Sequence, residues 1–411
     1  MSALDRINLD PALSVAGVGA VLALLAAGVV VWRRRRQPQQ ATHGLAAWQA
    51  ALTVFTLFLT LDLVVFGAFT RLTDSGLGCP DWPGCYGESS PWAAHTAIQQ
   101  AHSALPSGPV SPAKAWIEMV HRYLATGVGA MLTGLMAMAW WGRGRPGMLS
   151  PTWPTWSWLW VLGQGAFGAA TVALKLQPIV VTGHLLGAML GVGLLSWQVV
   201  CMAGAQGAGA RASVGGSTSQ AQSRVSRWAW TVLALVGIQM ALGAWVSSNY
   251  AVLACAEFPT CQGQWWPDMD WASGFHLLRA LGEDRLGGYI SLAALTAIHM
   301  AHRLFAVVVV VALLWAGARL RRQPGLAREG HWLWGLTAWQ VLSGLSNVVL
   351  GWPLVAALAH TLGAALLVWR LVGLAARSRV FASQPAIRLV ATQRRPATSI
   401  PPVAPTSAAS S

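Results

Sequence analysis

Glu118-Met119-Val120-His121-Arg122 opens a long apolar segment that runs to about Trp141. Glu118 and His121 stand three apart, so on a helix they share a face. An acid, an imidazole and a guanidinium at one end of a membrane-length helix are costly to desolvate, and groups so placed ordinarily carry function. Histidines recur at the start of three further apolar segments, in Gly183-His184-Leu185, His299-Met300-Ala301-His302-Arg303 and Ala359-His360-Thr361. Four histidines in four equivalent places decide how the chain is read.

Around these segments the chain is apolar throughout. Apolar residues make up 55% of its 411 residues and charged residues only 10%, with a mean hydropathy of +0.51. Soluble domains carry roughly 25% charged residues, so a soluble globular protein is excluded. A bilayer core takes roughly 20 apolar residues per helix. Nine segments reach that length, near 12–32, 46–69, 116–141, 154–174, 182–204, 227–247, 289–318, 332–351 and 354–376. The last two are joined only by Gly351-Trp352-Pro353.

Charge sets the expected orientation. Arg33 to Arg36, Arg143 and Arg145, then Arg211, Arg224 and Arg227 fall in alternate loops, and Arg319, Arg321, Arg322, Arg328 and the tail from Arg377 to Arg395 continue the series. The positive-inside rule places these loops in the cytoplasm. The loops near 70–115 and 248–288, which hold most of the acids, then lie outside. The formal net charge of +14 is thus a topology signal, and no nucleic-acid partner is expected, because the basic residues are not gathered on one soluble face. Segment 12–32 lacks the basic start and small-residue cleavage site of a signal peptide. It is expected to be a membrane helix, with the N-terminus outside and the C-terminus cytoplasmic.

Apart from that first helix, the chain divides in two. Each half has four helices and a long outer loop carrying Cys-x5-Cys, Cys79 with Cys85 and Cys255 with Cys261. Each second helix holds His-Arg near its start, each third helix a glutamine (Gln164, Gln340), and each fourth helix a histidine. Gln164 to Gln340 and His184 to His360 share an offset of 176 residues. That is duplication. It predicts an all-α polytopic membrane protein of about nine helices: two pseudo-symmetric four-helix bundles, related by an axis along the membrane normal, plus one extra N-terminal helix. The expected regions are 1–45 (extra helix and basic cytoplasmic loop), 46–204 (first bundle), 205–226 (flexible linker), 227–376 (second bundle) and 377–411 (disordered cytoplasmic tail).

Two inward imidazoles on facing helices of a bundle are a common way to hold a metal or cofactor. Haem iron with two axial histidines suits apolar walls and one shared depth. Arg122 and Arg303, beside their histidines at the water boundary, are placed to pair propionates. Zinc fits less well, since it usually takes four grouped N/S ligands. A lone membrane histidine is commonly an interhelical hydrogen-bonding group, but four at repeat-related places are not explained that way. His43, His95, His102, His276 and His331 break the repeat and are read as solvated. His299 occupies in the second half the place of Glu118, as a supporting or hydrogen-bonding group. That asymmetry suits proton-coupled chemistry in the first half only; the plainer role for Glu118 is an ion pair with Arg122 or Lys114. The cysteines face an oxidising compartment, so disulfides come first, and whether either pair is a structural staple or redox-active stays open. Cys201 reads as inert, and mid-helix Asp62 as a buried structural carboxylate.

Gly67-Ala-Phe-Thr-Arg-Leu-Thr-Asp-Ser-Gly-Leu-Gly-Cys-Pro-Asp-Trp-Pro-Gly-Cys-Tyr-Gly87, followed by Glu118 to Arg122, resembles the haem A synthase family, over about 46–376. The resemblance implies oxidation of a ring methyl of haem O to a formyl group through a hydroxymethyl intermediate, in service of a haem-copper terminal oxidase. It implies that His121 and His184 ligate the substrate haem with Glu118 as catalytic carboxylate, and that His302 and His360 hold a haem b cofactor. Haem O synthase and terminal oxidase subunits are implied partners in the cell's inner membrane, with a homo-oligomer left open. Two other classes compete: a di-haem electron carrier between quinol and an outer redox partner, which leaves Glu118 without a role, and a haem or metal transporter, for which the helices lack a charge series.

Overall fold

A computed structural model describes residues 10–36, 44–206 and 219–380. His43, the middle of the 205–226 region and the chain beyond Val380 lie outside the described residues. Among the described residues there are eleven α-helices and no strand: α1 Asp10–Arg36, α2 Leu45–Leu72, α3 His95–Ala104, α4 Pro112–Trp141, α5 Thr152–Ala173, α6 Pro178–Ala205, α7 Ser219–Ser248, α8 Trp271–Gly274, α9 Leu292–Arg321, α10 Ala327–Val349 and α11 Leu354–Val380. The linker and tail boundaries shift accordingly. Residues 219–226 are the first two turns of α7, and 377–380 finish α11, because each continues its helix without a glycine or proline to stop it.

The helix starts follow local chemistry. The Ser111 hydroxyl accepts the Lys114 N–H at 3.3 Å with Pro112 in the first turn of α4, and Ser291 accepts the Ala294 N–H at 3.1 Å at the start of α9. Both satisfy donors that a helix leaves unpaired. Trp352 and Gly351, at φ +64° and +67°, and then Pro353 separate α10 from α11 into two helices.

Seven of these helices are long and apolar enough to cross a membrane: α1, α2, α4, α6, α7, α9 and α11. The other two segments expected to do so, α5 and α10, are helices of 22 and 23 residues that fall short in apolarity. Tryptophan, serine, threonine, glycine and glutamine replace aliphatic residues in them, and some of these polar groups pair inside: Gln198 of α6 donates to the Ser157 hydroxyl of α5 at 2.6 Å.

The packing repeats. In the first half α2 packs on α4 and α6, and α5 packs on α4 and α6; in the second half α7 packs on α9 and α11, and α10 on the same two. Between the halves α6 meets α11, α2 meets α11 and α6 meets α7. The central apolar cluster accordingly mixes Leu57, Leu132, Val192 and Leu195 with Val368 and Val372. Lipid is as apolar as leucine, so close contact rather than exclusion from water must hold such helices together. Helix α1 stands outside the rings against α4, where Gly19 lies against Thr126 so tightly that a Cβ would collide with it.

Two contacts locate the symmetry axis. Arg71 Nη2 donates to the Ser247 carbonyl at 2.6 Å, across 176 residues. The Tyr250 phenol and Asp74 carboxylate, also 176 apart, share a hydrogen bond. A residue meets its own repeat mate only beside the axis that relates them. The pseudo-twofold therefore passes between the end of α2 and the end of α7.

Candidate functional site

Both disulfide loops lie on the same face as that axis contact, and they are copies in detail. Cys79 is bonded to Cys85 and Cys255 to Cys261. After each pair the chain reverses with Cys85 and Glu88, or Cys261 and Gln264, exchanging both backbone hydrogen bonds at 2.8 to 3.1 Å. The reversal needs two residues at positive φ, Tyr86 and Gly87 at 52° and 76°, and Gln262 and Gly263 at 54° and 75°, the backbone of a mirror-image tight turn. Asp81 accepts the N–H groups of Tyr86 and Gly87 at 2.6 and 2.7 Å. Glu257, its repeat mate, accepts the Gly263 N–H.

Below the loops lie the four histidines, each within about three turns of the helix end on this face. His121 is on α4, His184 on α6, His302 on α9 and His360 on α11, and all four are half-buried. The His302 and His360 rings stand 6.5 Å apart between centroids. One metal ion between two imidazoles asks for such a separation, with roughly 2 Å for each metal–nitrogen bond and the ring radii besides. Ser343 Oγ lies 3.0 Å from His360 Nδ1, which orients that ring and leaves Nε2 free to ligate. In the first quartet His121 stacks on Phe66 at 6.3 Å, nearly parallel, and His184 Nδ1 is buried with no hydrogen-bond partner among the described residues. A buried ring nitrogen without a partner and a ring pair at this spacing fit haem held through iron.

A family model described as cytochrome oxidase assembly protein (COX15-CtaA) matches residues 50–372. The chain belongs to this family, that of haem A synthase. It is 38% identical to a heme A synthase of Shewanella oneidensis over 317 residues, covering 77% of this chain and 92% of that protein. It is 28% identical to one from Rhizorhabdus wittichii over 358 residues, 81% of this chain and 94% of the relative, and 28% identical over 302 residues to one from Symbiobacterium thermophilum, 72% and 83% of the two chains. With its membrane-length helices, this member of the haem A synthase family is a multi-pass membrane protein.

The two arginines of this haem A synthase relative both reach into the disulfide loops. Arg122 donates to the Asp81 carbonyl at 2.8 Å and the Pro83 carbonyl at 3.3 Å, and also to the Gly84 carbonyl. Arg303 donates to the Thr260, Cys255 and Glu257 carbonyls at 3.1, 3.0 and 2.9 Å. Each guanidinium thus clamps the disulfide loop of its own half. The reason is geometric: a tight disulfide ring turns several carbonyls inward without backbone donors, and a planar fork of N–H groups meets them. Arg122 also forms a buried ion pair with Glu118, the plainer role weighed for that carboxylate. The other Glu118 oxygen accepts the Cys79 N–H at 2.8 Å. His299 takes the equivalent place, with its Nε2 accepting from Arg303 Nε at 3.3 Å.

Asp62 is corrected. It is exposed on the flank of α2, not buried in the bundle. His95 and His331 are exposed as expected, whereas His102 and His276 are half-buried, and Cys201 is a free, partly buried thiol. Ser343, Gln239, which lies 3.0 Å from His302 Nδ1, and the Asp81 and Glu257 carboxylates escaped the sequence reading. The offset of 176 residues, applied to the acids as well as to the histidines, finds the last pair.

Proposed function

We propose that this chain is a haem A synthase, an oxidoreductase that converts the ring methyl of haem O to the formyl group of haem A through a hydroxymethyl intermediate. His121 and His184 hold the substrate haem, and His302 and His360 hold haem b. Haem b, when bound, supplies one-electron transfer away from the reacting half. Glu118 moves protons as the C–H bond is oxidised. Its two oxygens already accept from Arg122 and from the Cys79 N–H, but a carboxylate has about four lone-pair sites and can take a proton besides. Those two contacts fix its orientation. The observation that carries the assignment of halves is the exchange at one arginine-bound position, Glu118 in the first half against His299 in the second. Only one half has a carboxylate there, an anion that can take up a proton and pass it on as a neutral acid.

The disulfide face is then extracytoplasmic, the arginine-rich loops are cytoplasmic, and the product serves assembly of a terminal oxidase in the cell membrane. The test is to purify the protein from cells that make haem O, extract the pigments and identify them by mass. Haem O with its hydroxymethyl and formyl products supports the reading. Haem b alone, with electron transfer intact in Glu118→Ala, replaces it with a di-haem electron carrier.

A further inference from the structure

Glycine inside a helix costs backbone entropy relative to alanine, so a helical glycine pressed against a functional side chain calls for a reason in packing. Four helical glycines face the four histidines one to one. A Cβ on Gly67 of α2 would lie 3.0 Å from His121 Nε2, and a Cβ on Gly243 of α7 would lie 2.9 Å from His302 Cε1. On α5 and α10, a Cβ on Gly168 would lie 3.7 Å from His184 Cε1 and one on Gly344 would lie 3.2 Å from His360 Cε1. Gly67 and Gly243 are 176 residues apart, as are Gly168 and Gly344, so each approach occurs twice at equivalent places. Other glycines on three of these helices have no such neighbour: a Cβ on Gly237 of α7, Gly163 or Gly165 of α5, or Gly335 of α10 meets nothing within 4 Å.

We infer that Gly67, Gly168, Gly243 and Gly344 are positioning residues that set how far each imidazole stands from the neighbouring helix, and so where each pair of ring nitrogens converges. The inference rests on the reading of the histidine pairs as haem ligands. The reason for glycine is that the first helix of each half passes against the nitrogen-bearing edge of the second helix's imidazole, nearest Nε2 at His121 and Cε1 at His302. A methyl group at 2.9 or 3.0 Å leaves no room, and the ring must tilt or advance towards its partner across the quartet. Imidazole has only two side-chain torsions with which to respond, so the displacement reaches the ligating nitrogen. The third-helix glycines press less closely on the fourth-helix histidines, most loosely at Gly168. The four positions therefore form a graded series, tightest at Gly243 and Gly67.

The test uses the full chain purified with haem bound. The low-spin paramagnetic resonance signal and midpoint potential of each haem are recorded, and assigned to halves with His121→Ala and His302→Ala. Gly243→Ala is expected to shift the signal and potential of the haem on His302, or to lose that haem, while the haem on His121 is unchanged. Gly67→Ala is expected to do the reverse. Gly344→Ala shifts the same haem as Gly243→Ala by less, and the control Gly237→Ala shifts neither. An unshifted signal with full haem content in both Gly243→Ala and Gly67→Ala overturns the inference, as does an equal effect from Gly237→Ala. Where Gly243→Ala does not fold, the milder Gly344→Ala decides, and an unchanged signal there is equally fatal. Wild-type protein lacking any bis-imidazole low-spin signal overturns the reading of the histidines instead.

Discussion

At the scale of single residues, the chemistry is concentrated where one arginine in each half meets position 118 or 299. Glu118 and Arg122 are both buried, and neither can lose its partner cheaply. Arg122→Ala strands a buried carboxylate and several loop carbonyls, a loss of about 3–5 kcal/mol for such pairs, to be read as a lowered midpoint in denaturant or thermal unfolding in detergent. Arg303→Ala leaves a neutral imidazole behind, and the expected loss is clearly smaller; equal losses would contradict the pairing described here. Glu118→Gln keeps an acceptor for the Cys79 N–H but removes the proposed base. Turnover should fall by about 10²–10⁴-fold, the usual contribution of a positioned acid–base group, with the haem content of both halves retained. A Glu118→Gln protein that still makes formyl product at the normal rate would remove that residue from the mechanism.

At the scale of elements, α1 is the outlier. It lies beyond both rings and packs chiefly on α4, the helix that carries Glu118 and His121. Its contacts, including Gly19 against Thr126, lie on the far side of α4 from the histidine. A chain beginning at residue 44 should therefore keep both haem signals while melting at a lower temperature. Loss of the His121 haem on that truncation would show that α1 shapes the site. The disulfide loops are elements of another kind. Two turn residues at positive φ, an acid on at least one turn N–H and an arginine on the ring carbonyls occur in both copies, so each loop is a folded unit held to its own second helix.

At the scale of the whole molecule, the two rings meet through α6 and α11 at the centre and through Arg71, Asp74, Ser247 and Tyr250 at the disulfide face. Ser196 of α6 donates to the Trp369 carbonyl of α11 at 3.0 Å, and a Cβ on Gly193 would lie 3.5 Å from Val372. In lipid, such close approach is the main attraction between helices. Two chains separately encoding 44–206 and 219–380 should accordingly co-purify from membranes. Gly193→Leu should separate them, because the larger side chain props the central helices apart. Co-purification that survives Gly193→Leu would place the main attachment elsewhere.

The sequence alone determined the helical class, the duplication and the four histidines, because apolar length, arginine spacing and a recurring order of motifs are properties of the chain read one residue at a time. It also marked both cysteine pairs, now seen as disulfides, and the exchange of Glu118 for His299. It misplaced Asp62 and left the loop contacts of the arginines unseen, since adjacency in sequence says that Arg122 stands near His121 but not which way a long side chain turns. That direction depends on the carbonyls that a tight disulfide ring turns inward, some forty residues away along the chain. The passage of the axis between Asp74 and Tyr250, and the glycines seated against each imidazole, belong to the same class. They arise from helix crossings between distant segments, and only the packed tertiary structure decides where those crossings fall.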